Sequence, residues 1–338
     1  MSSTTAVSTP APLIRTVLGD VAVGALGPTD YHEHLFQRSP LLPGEDLDDE
    51  ERSRHEAGML RASGAAAMVE ATPFGVGRRP SAVARISART GLTVVHVTGA
   101  HREAHYPDAP GLTALAVERL HELFLDELTT GMTDPDGAPS LAPDGHLVCA
   151  GVLKIGVGYW AFSAFERRVA EAAARCSAET GAPVMVHLEH GSAAHETLDL
   201  LAGHECPPER VVLAHIDRNP DPGLLGELAS RGAYLGFDGA ARHQNWPDSM
   251  LIECIRALVE AGWEERILLG GDVARASRYV AYGGMPGLQY LFDRFIPRVR
   301  AAIGSVATDR ILVENARRWL AWAPETEPHH VHSPGVTP

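Results

Sequence analysis

The chain has 338 residues, 45% of them hydrophobic, which is enough for a sizeable core and, at this length, fits one α/β barrel. Its formal charge is −14 with no basic block, which argues against nucleic acid or an anionic membrane as a partner. No apolar run approaches the roughly 20 residues of a membrane span, and Cys149, Cys176, Cys206 and Cys254 form no CxxC pair, so they read as buried thiols.

In chain order, residues 1–12 have neither a positive n-region nor an apolar h-region, so a disordered start and a cytoplasmic protein are expected. Residues 13–28 predict a short hairpin. Short runs rich in Val, Ile, Leu, Ala and Gly then predict eight strands: Thr29–Phe36, Ala65–Thr72, Leu92–Gly99, Cys149–Val157, Pro183–Glu189, Arg210–Ile216, Ala233–Asp238 and Arg266–Asp272. Continuous apolar runs of this kind suit strands buried on both faces of a parallel sheet. The longest connection, from about His101 to His146, is expected to hold a helix over Leu112–Leu128. Amphipathic segments such as FERRVAEAAARCSAETG, PGLLGELASRG and SMLIECIRALVEAGW separate the later strands. Strands alternating with helices predict a (β/α)₈ TIM barrel over residues 13–323. A doubly wound sheet is the alternative, but it would want a Gly-rich phosphate loop, and neither GxGxxG nor a Walker motif is present. Residues 324–338, with His329, His330 and His332, are expected to be a disordered tail.

Lys and Arg total 29, yet only Lys154 is lysine. An amine can be deprotonated in a protein where a guanidinium cannot, so this one exception to the use of arginine calls for a reason. In (β/α)₈ barrels, chemistry sits at the C-terminal ends of the strands. The first strand ends in Tyr31-His32-Glu33-His34, where the i, i+2 spacing lets His32 and His34 share the inner face while Glu33 points away. The fourth carries Lys154 within GVLKIGVG. The fifth ends with His187, the sixth with His215, and the eighth with Asp272 in ILLGGDVARAS. Each alone could be a hydrogen-bonded core residue. Together they set four imidazoles, one carboxylate and one amine at one rim.

This arrangement resembles the phosphotriesterase family of the amidohydrolase superfamily, in particular its lactonases. HEHL, the strand-four lysine, two strand-end histidines and GGD carry the resemblance. TVLGDV, VTGA, AHIDRN, YGGMPGLQYLFDRFIPRVR and ENARRWLAW extend it over about residues 15–322. It implies two divalent metals bridged by a carbamylated Lys154. His32, His34 and Asp272 would hold the more buried metal, and His187 and His215 the more exposed one. Zinc is expected, with manganese or cobalt possible, since imidazole and carboxylate suit all three. A metal-bridging hydroxide would attack a lactone or ester carbonyl while Asp272 takes up the proton. A homodimer is implied in the same way.

For the substrate, Arg242 after strand seven and Arg275 and Arg278 after strand eight lie on the loops that commonly bind phosphate in these barrels. Guanidinium forks match phosphate oxygens. The expected substrate is a phosphorylated sugar lactone, with His101, Tyr106, Trp246 and Tyr279 as pocket walls. Alternatively, these arginines pair with Asp238, Asp248 or Glu264, and the substrate is a neutral organophosphate triester or acyl-homoserine lactone. A non-enzymatic binding protein is a third class, disfavoured by the intact ligand set.

Overall fold

A computed structural model describes residues 12–322. Disorder is expected for residues 1–12 and 324–338, with His329, His330 and His332; all of these but Pro12 lie outside the described residues. An antiparallel hairpin, β1 (Leu13–Thr16) and β2 (Gly19–Ala22), comes first. Eight strands follow: β3 (Thr29–Glu33), β4 (Ala67–Glu70), β5 (Thr93–Gly99), β6 (Val152–Val157), β7 (Val184–Leu188), β8 (Val211–Ala214), β9 (Tyr234–Phe237) and β10 (Ile267–Leu269). They pair in parallel and in chain order from β3 to β10. The sheet curls into a near-closed barrel whose first and last strands meet where the Asp272 N–H donates to the His32 carbonyl at 2.9 Å.

Alternation along the strands explains both cores. In β6, Val152 and Lys154 face inward and Leu153 and Ile155 outward; in β7, Met185 faces inward and Val184 and Val186 outward. The outer residues pack under the helices, and the inner ones form a plug with Tyr31, Val97, Val212 and Leu268. Ile14 of the hairpin and Trp319 belong to that inner cluster. Burying one such aliphatic side chain contributes about 1.5–3 kcal/mol.

The helices begin and end where local chemistry dictates. The helix Ala164–Thr180 opens with a capping box between Ser163 and Glu166 and stops at Gly181, whose φ of +78° suits a residue without a Cβ. In the long connection the main helix is Val117–Thr129, starting later than expected because Pro110–Thr113 forms a separate turn. Among the described residues no helix is long and apolar enough to cross a membrane.

Candidate active site

The strands are shorter than their apolar runs, and several functional residues lie just past their ends. His34 follows β3, His215 follows β8 at φ +63°, and Asp272 follows β10 at φ +45°. Left-handed backbone is costly for residues other than glycine and clusters at functional sites. Here it turns side chains from the sheet toward the barrel axis. In β3 the pairing with β4 shifts register between Asp30 and Glu33, the stretch that carries His32.

The six expected ligands meet around one cavity of 160 Å³. His32 Nε2 is 3.3 Å from Lys154 Nζ and 3.6 Å from Asp272 Oδ1. His34 Nε2 is 3.4 Å from Asp272 Oδ1, and His187 Nδ1 is 2.8 Å from His215 Nε2. Donor atoms of His32, His215 and Asp272 all lie within 4.8 Å of one another.

Hydrogen bonding on the outer side of each ring fixes its tautomer. Asp238 receives Nδ1–H from His32 at 3.0 Å and from His215 at 2.7 Å. Thr72 gives its own proton to the Phe36 carbonyl, so its oxygen accepts Nδ1–H of His34 at 2.7 Å. Glu189 accepts Nε2–H of His187 at 3.0 Å. Every imidazole therefore turns a lone pair inward, as metal-binding histidines backed by a carboxylate or hydroxyl do. Two such nitrogens, on His187 and His215, converge at 2.8 Å, where one cation beside them can take both as ligands. The donor set thus fits divalent cations.

Charge is arranged to match. Burial would raise Asp238, but the His215 and His32 rings hold it well below the usual carboxylate range. Burial acts likewise on Asp272, where the Arg242 guanidinium and the rings of His32 and His215 prevail and keep it ionised. Burial lowers His32 to about 3 and Lys154 to about 8, so the imidazole is neutral and the amine loses its proton readily.

The substrate candidates divide. His101 lines the metal cavity, its ring 4.4 Å from that of His187. Arg242 and Arg275 line it too, and both also border an adjoining 450 Å³ groove, where Arg278 stands. Arg278 is thus outside the metal cavity but beside it. Arg242 bonds the Asp272 carboxylate and carbonyl. The acids named as its alternative partners are taken: Asp238 by the histidines, Asp248 by Arg298 at 3.1 Å and Glu264 by Arg310 at 2.7 Å. Tyr279 is no pocket wall. It is fully buried and its hydroxyl donates to the His34 carbonyl, so it braces a ligand strand from behind. Tyr106 is also buried behind the site, where its hydroxyl accepts the His101 N–H at 2.7 Å. Trp246 lies away from the metal cavity, donating to the Arg218 carbonyl at 3.1 Å.

Sequence reasoning missed three residues. Asp238 figured there only as a partner for arginine, although it ends its strand as the ligands do. Arg218, three residues after His215, lies 3.8 Å from Asp272, and Glu189, two after His187, pairs with Arg102 at 3.0 Å.

With this geometry in place, comparison with known proteins settles the family. The phosphotriesterase family model matches residues 12–320. The chain belongs to the phosphotriesterase family. It is accordingly a hydrolase acting on ester-type bonds. It is 31% identical to a phospho-furanose lactonase of Mycoplasmopsis synoviae over 91% of both chains. A lactonase from Listeria monocytogenes superposes with a TM-score of 0.82 at 29% identity, covering 92% of this chain and 99% of that one. The phosphotriesterase homology protein of Escherichia coli, crystallised with phosphate in its active site, gives 0.78 at 27% identity over 87% and 98%. The family is metal-dependent, and here His32, His215 and Asp272 form a group that could hold an ion.

Proposed function

We propose that this phosphotriesterase-family member opens the lactone ring of a small phosphorylated sugar at a binuclear metal centre. The observation that carries the reading is the pair of adjoining cavities. One is ringed by the six metal-type ligands; the next is bordered by Arg242, Arg275 and Arg278 with no carboxylate in its lining. Burial and the neighbouring Arg242 lower the pKa of Arg278, which marks crowded positive charge that a phosphate dianion would relieve. Likeness to a phospho-furanose lactonase, and to a protein holding phosphate in its active site, supports the same substrate class.

His32, His34 and Asp272 would hold one cation and His187 and His215 the second. Lys154, its amine neutral and carbamylated, would serve both. Zinc suits these nitrogen and oxygen donors, with manganese or cobalt as alternatives. Bound there, the metals would make a water nucleophilic at neutral pH and polarise the scissile carbonyl. Asp272, ionised and held by Arg242, would take the proton that the nucleophile sheds. Arg275 and Arg278 would seat the phosphate and so orient the ring.

The test is Arg275→Ala, assayed on a phosphorylated sugar lactone and on its unphosphorylated parent. A charge-assisted contact contributes about 1.5–3 kcal/mol, so kcat/KM for the phosphorylated substrate should fall roughly tenfold to a hundredfold. The parent lactone should change little. Equal loss on both, or a wild-type preference for neutral acyl lactones or triesters, would overturn the phosphate reading.

A further inference from the structure

A second cavity, of 770 Å³, opens beside the metal cavity, and neither the metal ligands nor the arginines of the groove account for it. The two cavities share Glu189 and Arg218 in their walls. Glu189 is the residue that accepts the His187 ring proton, so an occupant of the annex lies one side chain away from a metal ligand.

The annex is built from the loops after β6, β7 and β8. Tyr159 and Trp160 stand at its wall, 62% and 63% exposed, where a solvated rim would ordinarily carry polar side chains. The His190 ring meets Tyr159 edge-on at 5.8 Å between centroids. Hydrogen-bonding side chains border the aromatics: Glu196 and Asn219 add to Glu189 and Arg218. An apolar platform with two-way hydrogen bonders at its edge is what a polyhydroxylated ring requires, since it offers C–H faces to aromatic planes and hydroxyls to the rim.

The backbone that carries the platform is tied to the next loop. Trp160 N–H donates to Ser192 Oγ at 3.1 Å, and Ser192 donates to the Glu189 carbonyl at 2.7 Å. Trp160, His190 and Ala193 all adopt left-handed backbone, at φ +49°, +54° and +57°. Three such non-glycine residues in one wall are unfavourable locally and are typical of a ligand clamp.

We infer that the annex is a second substrate subsite, taking a further sugar ring attached beyond the lactone, with Trp160 and Tyr159 as its stacking platform. This rests on the lactonase reading of the metal centre, and the experiment separates the two. The metal-loaded full chain is assayed on glucono-1,5-lactone, on its 4-O-galactosyl derivative, and on N-octanoyl homoserine lactone. Binding of lactobionate, the opened galactosyl product, is followed by quenching of tryptophan fluorescence.

In the wild type the galactosyl lactone should have the lower KM of the two sugar lactones. Trp160→Ala should cut the galactosyl-to-parent preference in kcat/KM about tenfold, and Trp160→Phe should restore most of it. Lactobionate should quench the wild type and not Trp160→Ala. If both sugar lactones are turned over but Trp160→Ala leaves their ratio and the quenching unchanged, the annex is no subsite. If the octanoyl lactone alone depends on Trp160, the occupant is an acyl chain and the sugar assignment is wrong. If Trp160→Ala changes only the oligomeric state, the aromatics form a contact between copies and the inference fails. If lactobionate still binds through Trp160 while neither these lactones nor a phosphorylated sugar lactone is opened, the subsite stands and the lactonase reading falls.

Discussion

His187 Nδ1 and His215 Nε2 face each other at 2.8 Å, each ring having committed its N–H to an outward carboxylate. Two nitrogens so placed suit adjacent positions on one cation. The purified protein should therefore carry about two divalent metals per chain, since six ligands exceed what one tetrahedral ion uses. Elemental analysis returning under about half a metal per chain, after growth with added zinc or manganese, would refute the centre.

Lys154 should be found as a carbamate. Loading with ¹³C-bicarbonate should give a carbamate carbon signal that Lys154→Arg abolishes, because a guanidinium is not deprotonated at any working pH. Lys154→Ala should lose activity and regain part of it with added short carboxylic acids. A metal-loaded crystal in which density ends at a plain amine would contradict the assignment.

Asp238→Asn should weaken metal binding by roughly ten- to a hundredfold, the usual cost of losing an orienting carboxylate. An amide can accept from His32 and His215 only through its single oxygen. Chelator competition measures the affinity, and circular dichroism verifies the fold. Unchanged affinity would mean that the two rings are positioned by packing alone.

Acid should destabilise the chelator-treated protein in a defined window. Burial lowers His96 to about 3 and His105 to about 4 from an ordinary value of 6.5, so the folded state binds fewer protons than the unfolded one. Their contribution is complete above pH 6.5 and is lost as the pH falls toward those folded values. Each such group contributes a slope of about 1.4 kcal/mol per pH unit within its window. Tm measured against pH should fall below this point, and His96→Leu should make the fall shallower. A profile that stays flat down to pH 4 in wild type would show that these rings titrate freely.

The barrel and the gathering of six candidate ligands at its rim were legible in the sequence because both depend on position along strands. An apolar run marks a strand, and a polar residue at its end has only the rim to occupy. Lys154 stood out through composition, as the single amine in a chain of arginines. Loops are another matter. Nothing in DVARASRYVAYGG distinguishes Arg275, on the cavity wall, from Arg278, in the next groove, or from Tyr279, folded into the core, because irregular backbone has no period to read. Asp238 was hidden differently. Its partners come from β3 and from the end of β8, so its role exists only after the strands assemble.

The seam between β3 and β10 bears on how the protein is made. His32 and His34 belong to the start of the barrel and Asp272 to its end, 238 positions beyond His34, and no strand ladder joins the two strands. The seam is joined by the Asp272 N–H to the His32 carbonyl and, at 2.8 Å, by the Val273 N–H to the Glu33 carboxylate. A nascent chain that has left the ribosome only as far as β9 holds the two histidines without their carboxylate. Ion capture at this seam would then be a late event of biosynthesis, acting as a clasp that fastens only a finished ring.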